Sequence, residues 1–90
     1  MREVVRSTAF KKDVKRGEKR GKDMAKLKAV ILLLLGDGPL PPGLRDHPLR
    51  GVWIGYRDLH IEGDWLLLYR MSEAELLLAR TGTHSDLFGE

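Results

Sequence analysis

The segment Gly36-Asp37-Gly38-Pro39, followed by Pro41-Pro42-Gly43, divides this chain into two stretches of different periodicity, and that change limits the folds open to it. Before the break, Met24, Leu27, Ile31, Leu34 and Leu35 recur every three or four residues, the repeat of one helix face. After it, Leu59 and Ile61 alternate with Asp58, His60 and Glu62, the pattern of a strand with one buried side. The glycines are expected to supply left-handed geometry at a helix end, and the prolines, lacking an amide proton, continue neither a helix nor a central strand. Helices therefore precede the break and strands follow it.

Within the first stretch, Val4-Val5 flanked by charges reads as a short strand, and Ser7 or Thr8 offers a side-chain oxygen to cap a helix starting near Ala9. Phe10 and Val14 share one face of that helix, which Gly17 to Gly21 is expected to interrupt before a second begins near Lys22 or Asp23. Beyond the proline connector, Asp46-His47-Pro48-Leu49 is expected in a loop. Three segments of strand character follow, Gly51 to Ile61, Trp65 to Met71 and Leu76 to Thr83, and their short links favour an antiparallel meander. The expectation is one α+β domain spanning residues 1–90: an N-terminal strand, a two-helix hairpin, then an antiparallel sheet of about four strands. The helices would cover one sheet face and leave the other for a ligand. A chain of 90 residues hides only roughly two thirds of the surface its unfolded form exposes, so it has room for one core and one site.

Composition narrows the function classes. Without cysteine there is no disulfide framework and no thiolate metal site. The N-terminus has no apolar signal region, and the longest apolar run, Ala29 to Leu35, is too short to cross a bilayer, so a soluble, cytoplasmic protein without a membrane partner is expected. Residues 1–28 hold eleven Lys or Arg against four Asp or Glu, whereas the remainder holds five against nine. That asymmetry suggests a basic N-terminal face for a polyanion, although exposed lysines also serve solubility alone. Lys11, Lys12, Lys15, Arg16, Lys19, Arg20, Lys22, Lys26 and Lys28 are the candidates, of which a subset must face outward together.

All three histidines, His47, His60 and His84, lie after the break. Imidazole both takes and gives a proton near neutral pH, so three of them beside arginines and an aspartate suggest acid–base chemistry on an anion. The alternation places Leu59 and Ile61 in the core and displays His60 on the wetter face. A zinc site built from the three histidines is disfavoured, since their wide separation matches no compact metal motif. Gly36-Asp37-Gly38 follows a helix where a phosphate loop would precede one. No cofactor is expected.

The ordered set Lys11-Lys12-Asp13-Val14-Lys15, Lys22-Asp23-Met24-Ala25-Lys26-Leu27, Asp46-His47-Pro48-Leu49, Gly55-Tyr56-Arg57-Asp58, His60, Asp64-Trp65 and Arg80-Thr81-Gly82-Thr83-His84 resembles the YafQ branch of the RelE-type toxins over nearly the whole chain. The resemblance implies a RelE-like fold and a bacterial type II toxin–antitoxin module. Its toxin cleaves messenger RNA on the 70S ribosome, and a cognate antitoxin protein silences it and carries any contact with operator DNA. It also implies a site comprising His47, His60, His84, Asp64 and a C-terminal aromatic, Phe88. Gly63 departs from the pattern, since related chains often carry proline there.

Metal-free RNA cleavage can use the nucleotide's own 2′-hydroxyl, which requires a base, an acid and donors to the phosphate oxygens. The expected arrangement puts His84 and Asp64 at one end of the phosphate and His47 with His60 at the other. Arg80 would donate a forked pair of hydrogen bonds to phosphate, and Phe88 would stack on a base. Each has a plainer alternative: Asp64 capping a turn, Arg80 pairing with Asp86 or Glu62, and Phe88 plugging the sheet edge. Trp65, in phase with Leu67 and Tyr69, is expected in the core. Two rival functions share the architecture or the charge, a ParE-like toxin acting on DNA gyrase and an RNA-binding module that cuts nothing.

Overall fold

The structure, a computed structural model, describes residues 2–89. In chain order it contains β1 (Glu3–Arg6), α1 (Thr8–Lys19), α2 (Met24–Leu35), β2 (His47–Pro48), β3 (Arg57–Glu62), β4 (Trp65–Met71), β5 (Glu75–Gly82) and α3 (His84–Phe88), with short 3-10 turns at Pro42–Leu44 and Gly51–Trp53. The strands form one five-stranded sheet in the order β1-β5-β4-β3-β2. β1 runs parallel to β5 and every other pairing is antiparallel. This is the expected α+β architecture, with two differences. The sheet has five strands, because His47–Pro48 leaves the expected loop to pair with Arg57 and Asp58 at the edge, where a proline without an amide proton is tolerated. The segment from Gly51 is not strand until Arg57, because Gly51 and Gly55 take left-handed φ values of 66° and 92° and turn the chain.

Ser7 caps α1 by accepting from the Phe10 amide at 2.9 Å, and its hydroxyl donates to the Ala79 carbonyl at 2.7 Å, so one side chain starts the helix and ties it to β5. The helix continues through Gly17 to Lys19, past the expected interruption, and the chain reverses at Gly21 with φ 80°. Gly17 leaves room for the start of α2: a Cβ there would lie 3.0 Å from the Met24 methyl. Asp23 caps α2 by accepting from the Ala25 amide at 3.0 Å.

Both helices pack on one sheet face. Phe10 from α1 and Leu27, Val30 and Leu34 from α2 meet Leu59, Trp65, Leu67, Tyr69, Leu76 and Leu78. Burying side chains of this size stabilises by roughly 1.5 to 3 kcal/mol each, so this layer is the main driving force for folding. The opposite face is less open than expected. Leu66, Leu68, Ala79 and Leu87 form a second cluster there, with Leu49, Trp53, Tyr56 and Phe88 packed against it. α3 and the Gly51–Tyr56 turn thus cover part of that face, and the part beside His60 stays accessible. Among the described residues no helix is long and apolar enough to cross a membrane.

Candidate active site

Period-two alternation along β3 sends Leu59 into the helix-side core, fully buried, and turns Asp58 and His60 to the other face. β2 lies beside them, and its register sets His47 opposite Asp58. Asp46, just before His47, accepts a forked pair from Arg57 at 3.1 and 2.9 Å and a hydrogen bond from the Tyr69 hydroxyl, which pins the segment carrying His47. The His47 Nδ1 donates to the Arg45 carbonyl at 2.9 Å and stands 3.4 Å from the Asp58 carboxylate, so its Nε2 is left for a ligand.

The second half of the site comes from the β3–β4 turn and α3. Gly63 has φ 50°, a conformation closed to proline, and it presents Asp64 towards α3. Asp64 accepts from the His84 backbone amide at 3.0 Å and from the His84 Nδ1, again leaving Nε2 as the outward nitrogen. The ring bond, then the amide, hold the Asp64 carboxyl below the usual carboxylate range. The His60 and His84 rings lie 5.9 Å apart between centroids, and His84 and Phe88 6.2 Å. His47, His60, His84, Asp64 and Phe88 are therefore gathered on one face from widely separated points of the chain.

Sequence reasoning missed Asp58. It is 3% exposed, and burial pushes its carboxyl above the usual range, an effect opposed by the fields of His47, His60 and His84 in that order. One buried carboxylate thus feels all three imidazoles. Its Oδ1 and the His60 Nδ1 are both buried without a hydrogen-bond partner, so this strand face carries two unsatisfied polar atoms two residues apart. The available signal was its two-residue spacing from His60 on the same strand face.

Arg80 is already held through two of its three nitrogens. Its Nε and one Nη donate to Asp13 at 2.6 and 3.0 Å, and the same buried carboxylate accepts from Arg16 at 2.8 Å and from the Thr81 amide at 3.1 Å. Neither Asp86 nor Glu62, the partners suggested by sequence, hydrogen-bonds Arg80, although the Asp86 charge adds to the field that holds the guanidinium charged. Trp65 is core as expected, its indole donating to Thr81 at 2.9 Å.

The nine basic candidates divide in the same way. Arg16 pairs with Asp13, Arg20 with Asp86 and Lys26 with Glu62, while Lys22 sits over the Trp65 ring at 5.7 Å. Lys11, Lys12, Lys15, Lys19 and Lys28 are exposed, and Lys11, Lys15 and Lys19 fall at four-residue steps along one stripe of α1. Among the described residues no three His, Asp or Glu side chains are grouped as a metal ion would need.

Comparison with known proteins places this geometry in context. The profile of a family described as bacterial toxin of type II toxin-antitoxin system, YafQ, matches residues 2–89. The mRNA interferase toxin YafQ of Escherichia coli strain K12 is 49% identical over 89 residues, covering 98% of this chain and 97% of that protein. The crystal structure of YafQ from E. coli strain BL21(DE3) superposes with a TM-score of 0.93 at 48% identity, covering 99% of this chain and all of that one. The toxin in a crystal structure of the E. coli DinJ-YafQ complex superposes with a TM-score of 0.91 at 49% identity over the same shares.

Proposed function

The chain belongs to the YafQ family of bacterial type II toxin–antitoxin toxins, and from that premise we propose that it is an mRNA interferase, an endoribonuclease that cuts messenger RNA in the ribosomal A site. The observation that carries the reading is three imidazoles on one accessible sheet face, His47 3.4 Å from the buried Asp58 and the His60 and His84 rings 5.9 Å apart, with the Nδ1 of His47 and of His84 already committed and Nε2 free. Such a pair can act on both sides of one phosphodiester. The base takes the proton of the 2′-hydroxyl as its oxygen bonds to phosphorus. The bond to the 5′-oxygen of the next nucleotide breaks, and the acid protonates that oxygen, leaving a 2′,3′-cyclic phosphate.

In this mechanism His84, steadied by Asp64, serves one end of the phosphate and His47 with His60 the other. Phe88 stacks on a base beside His84. Arg80 meets the phosphate through the terminal nitrogen that Asp13 leaves unused. No metal takes part. The lysines of α1, with Lys28, hold ribosomal RNA phosphates. The partners are the 70S ribosome with its message and, as the complex of the E. coli relative with DinJ supports, a cognate antitoxin through which alone operator DNA is reached. The protein works in the cytoplasm.

The test is cleavage of messenger RNA on programmed ribosomes. The native chain should yield fragments ending in 2′,3′-cyclic phosphate, with the rate unchanged by phenanthroline, which removes transition metals but spares magnesium. His84→Ala should lower cleavage by roughly 10² to 10⁴ while leaving the circular dichroism spectrum intact. Broken DNA in a gyrase assay with intact message would overturn the reading in favour of a ParE-like toxin, and RNA retention without product in favour of a binding module.

A further inference from the structure

α3 carries His84 and Phe88 yet spans only His84–Phe88, far too short to hold its shape unaided. Three interactions fix it. Leu87 is buried beneath it. Thr83 and Asp86 form a reciprocal cap, the Asp86 amide donating to the Thr83 hydroxyl and the Thr83 amide to the Asp86 carboxylate, each at 3.0 Å. The third interaction comes from the other end of the sequence. Arg20, at the C-terminal end of α1, forks onto both Asp86 oxygens at 2.7 and 3.3 Å, with Arg16 at 3.8 Å from the same carboxylate.

The junction is closely fitted. A Cβ on Gly82 would lie 3.0 Å from the Asp86 Cβ and carboxylate and 3.2 Å from Arg16, so Asp86 occupies the space a side chain would need. α1 is itself anchored, since its buried Asp13 takes donors from Arg80 and the Thr81 amide on β5. A continuous line of contacts therefore runs from β5 through α1 and Arg20 to Asp86, two residues beyond His84.

We propose that Arg20 and Asp86 form a clamp that positions His84, holding α3 where the His84 amide and ring both reach Asp64. The inference rests on the reading of His84 as part of a nuclease site. It makes Arg20 and Asp86 positioning residues: neither touches RNA, and each acts through the placement of the His84 imidazole. Asp86 takes one N–H from each terminal nitrogen of Arg20, so the fork faces the carboxylate and not the imidazole face of the sheet.

The test uses the full chain with Arg20→Gln, Asp86→Asn and the double variant, read by ribosome-programmed cleavage and by amide hydrogen exchange of the free protein. Displacing a catalytic group by a fraction of an ångström to an ångström should lower kcat on the order of tenfold to a hundredfold at unchanged KM in either single variant. The double variant should fall no further than the singles, and Arg20→Lys should recover part of the rate. Protection of the His84 amide should drop while that of β4, the central strand, stays. A raised KM in Arg20→Gln together with a lowered KM in Asp86→Asn would overturn the clamp and make Arg20 a phosphate contact. Equal loss of protection throughout the sheet would also overturn it, as general destabilisation. Should the native chain cleave no RNA, the nuclease reading falls, yet the exchange of the His84 amide still decides whether the clamp exists.

Discussion

At the scale of single residues, Asp58 sets stability against function. A carboxyl whose folded pKa lies above its unfolded value binds its proton more tightly in the folded state, so stability falls as pH rises through that window and stays lower above it. Asp58→Asn removes the charge at every pH. It should therefore raise the melting temperature at pH 7, by a margin that shrinks as pH is lowered into the carboxylate range, while cleavage falls because the carboxylate beside His47 is lost. Thermal melts across a pH series, paired with the cleavage assay, check both halves. A lower melting temperature at pH 7 would mean that attraction to the histidines outweighs desolvation. The sequence was informative here only in part. His60 could be placed on the wetter face because Leu59 and Ile61 flank it. The spacing put Asp58 on the same strand face, but its burial was not legible, since that depends on β2 and on the cover over that face, both assembled from distant segments.

Among the elements, helix starts were the most readable and short strands the least. Ser7 and Asp23 cap α1 and α2 because their side-chain oxygens satisfy amides that no preceding turn can reach, a purely local requirement visible in sequence. The bounds of β4, Trp65 to Met71, were likewise local, set by a strongly apolar run between turns. β2 could not be found this way: two residues become a strand only because β3 lies alongside. The late start of β3 was hidden because Val52, Trp53 and Ile54 have strand propensity that the left-handed glycines on either side override. Ser7 also does more than cap. Ser7→Ala should cost roughly 1 to 2 kcal/mol, since it removes the cap and the bond to Ala79 together, and urea unfolding would show it as a lower midpoint at constant slope. A cost well below that range would mean that water replaces both hydrogen bonds.

Over the whole molecule, charge is distributed by side rather than by amount. The lysine stripe of α1 lies on the outward side of the helix layer, while the imidazoles occupy the opposite sheet face, so a polyanion that meets both must follow the surface around an edge. Replacing Lys11, Lys15 and Lys19 together with glutamine should weaken ribosome association and flatten its salt dependence by about one counterion for each phosphate no longer neutralised. Filter binding across a salt series measures the slope, and an unchanged slope would remove the stripe from the interface. The topology carries one more consequence. Since β1 pairs with β5, and β5 leads directly into α3, β1 finds its neighbour only in the segment that also delivers His84. A fragment that stops before β5 leaves β1 and one edge of β4 unpaired and lacks His84, so closure of the sheet and completion of the imidazole group depend on one and the same stretch of sequence.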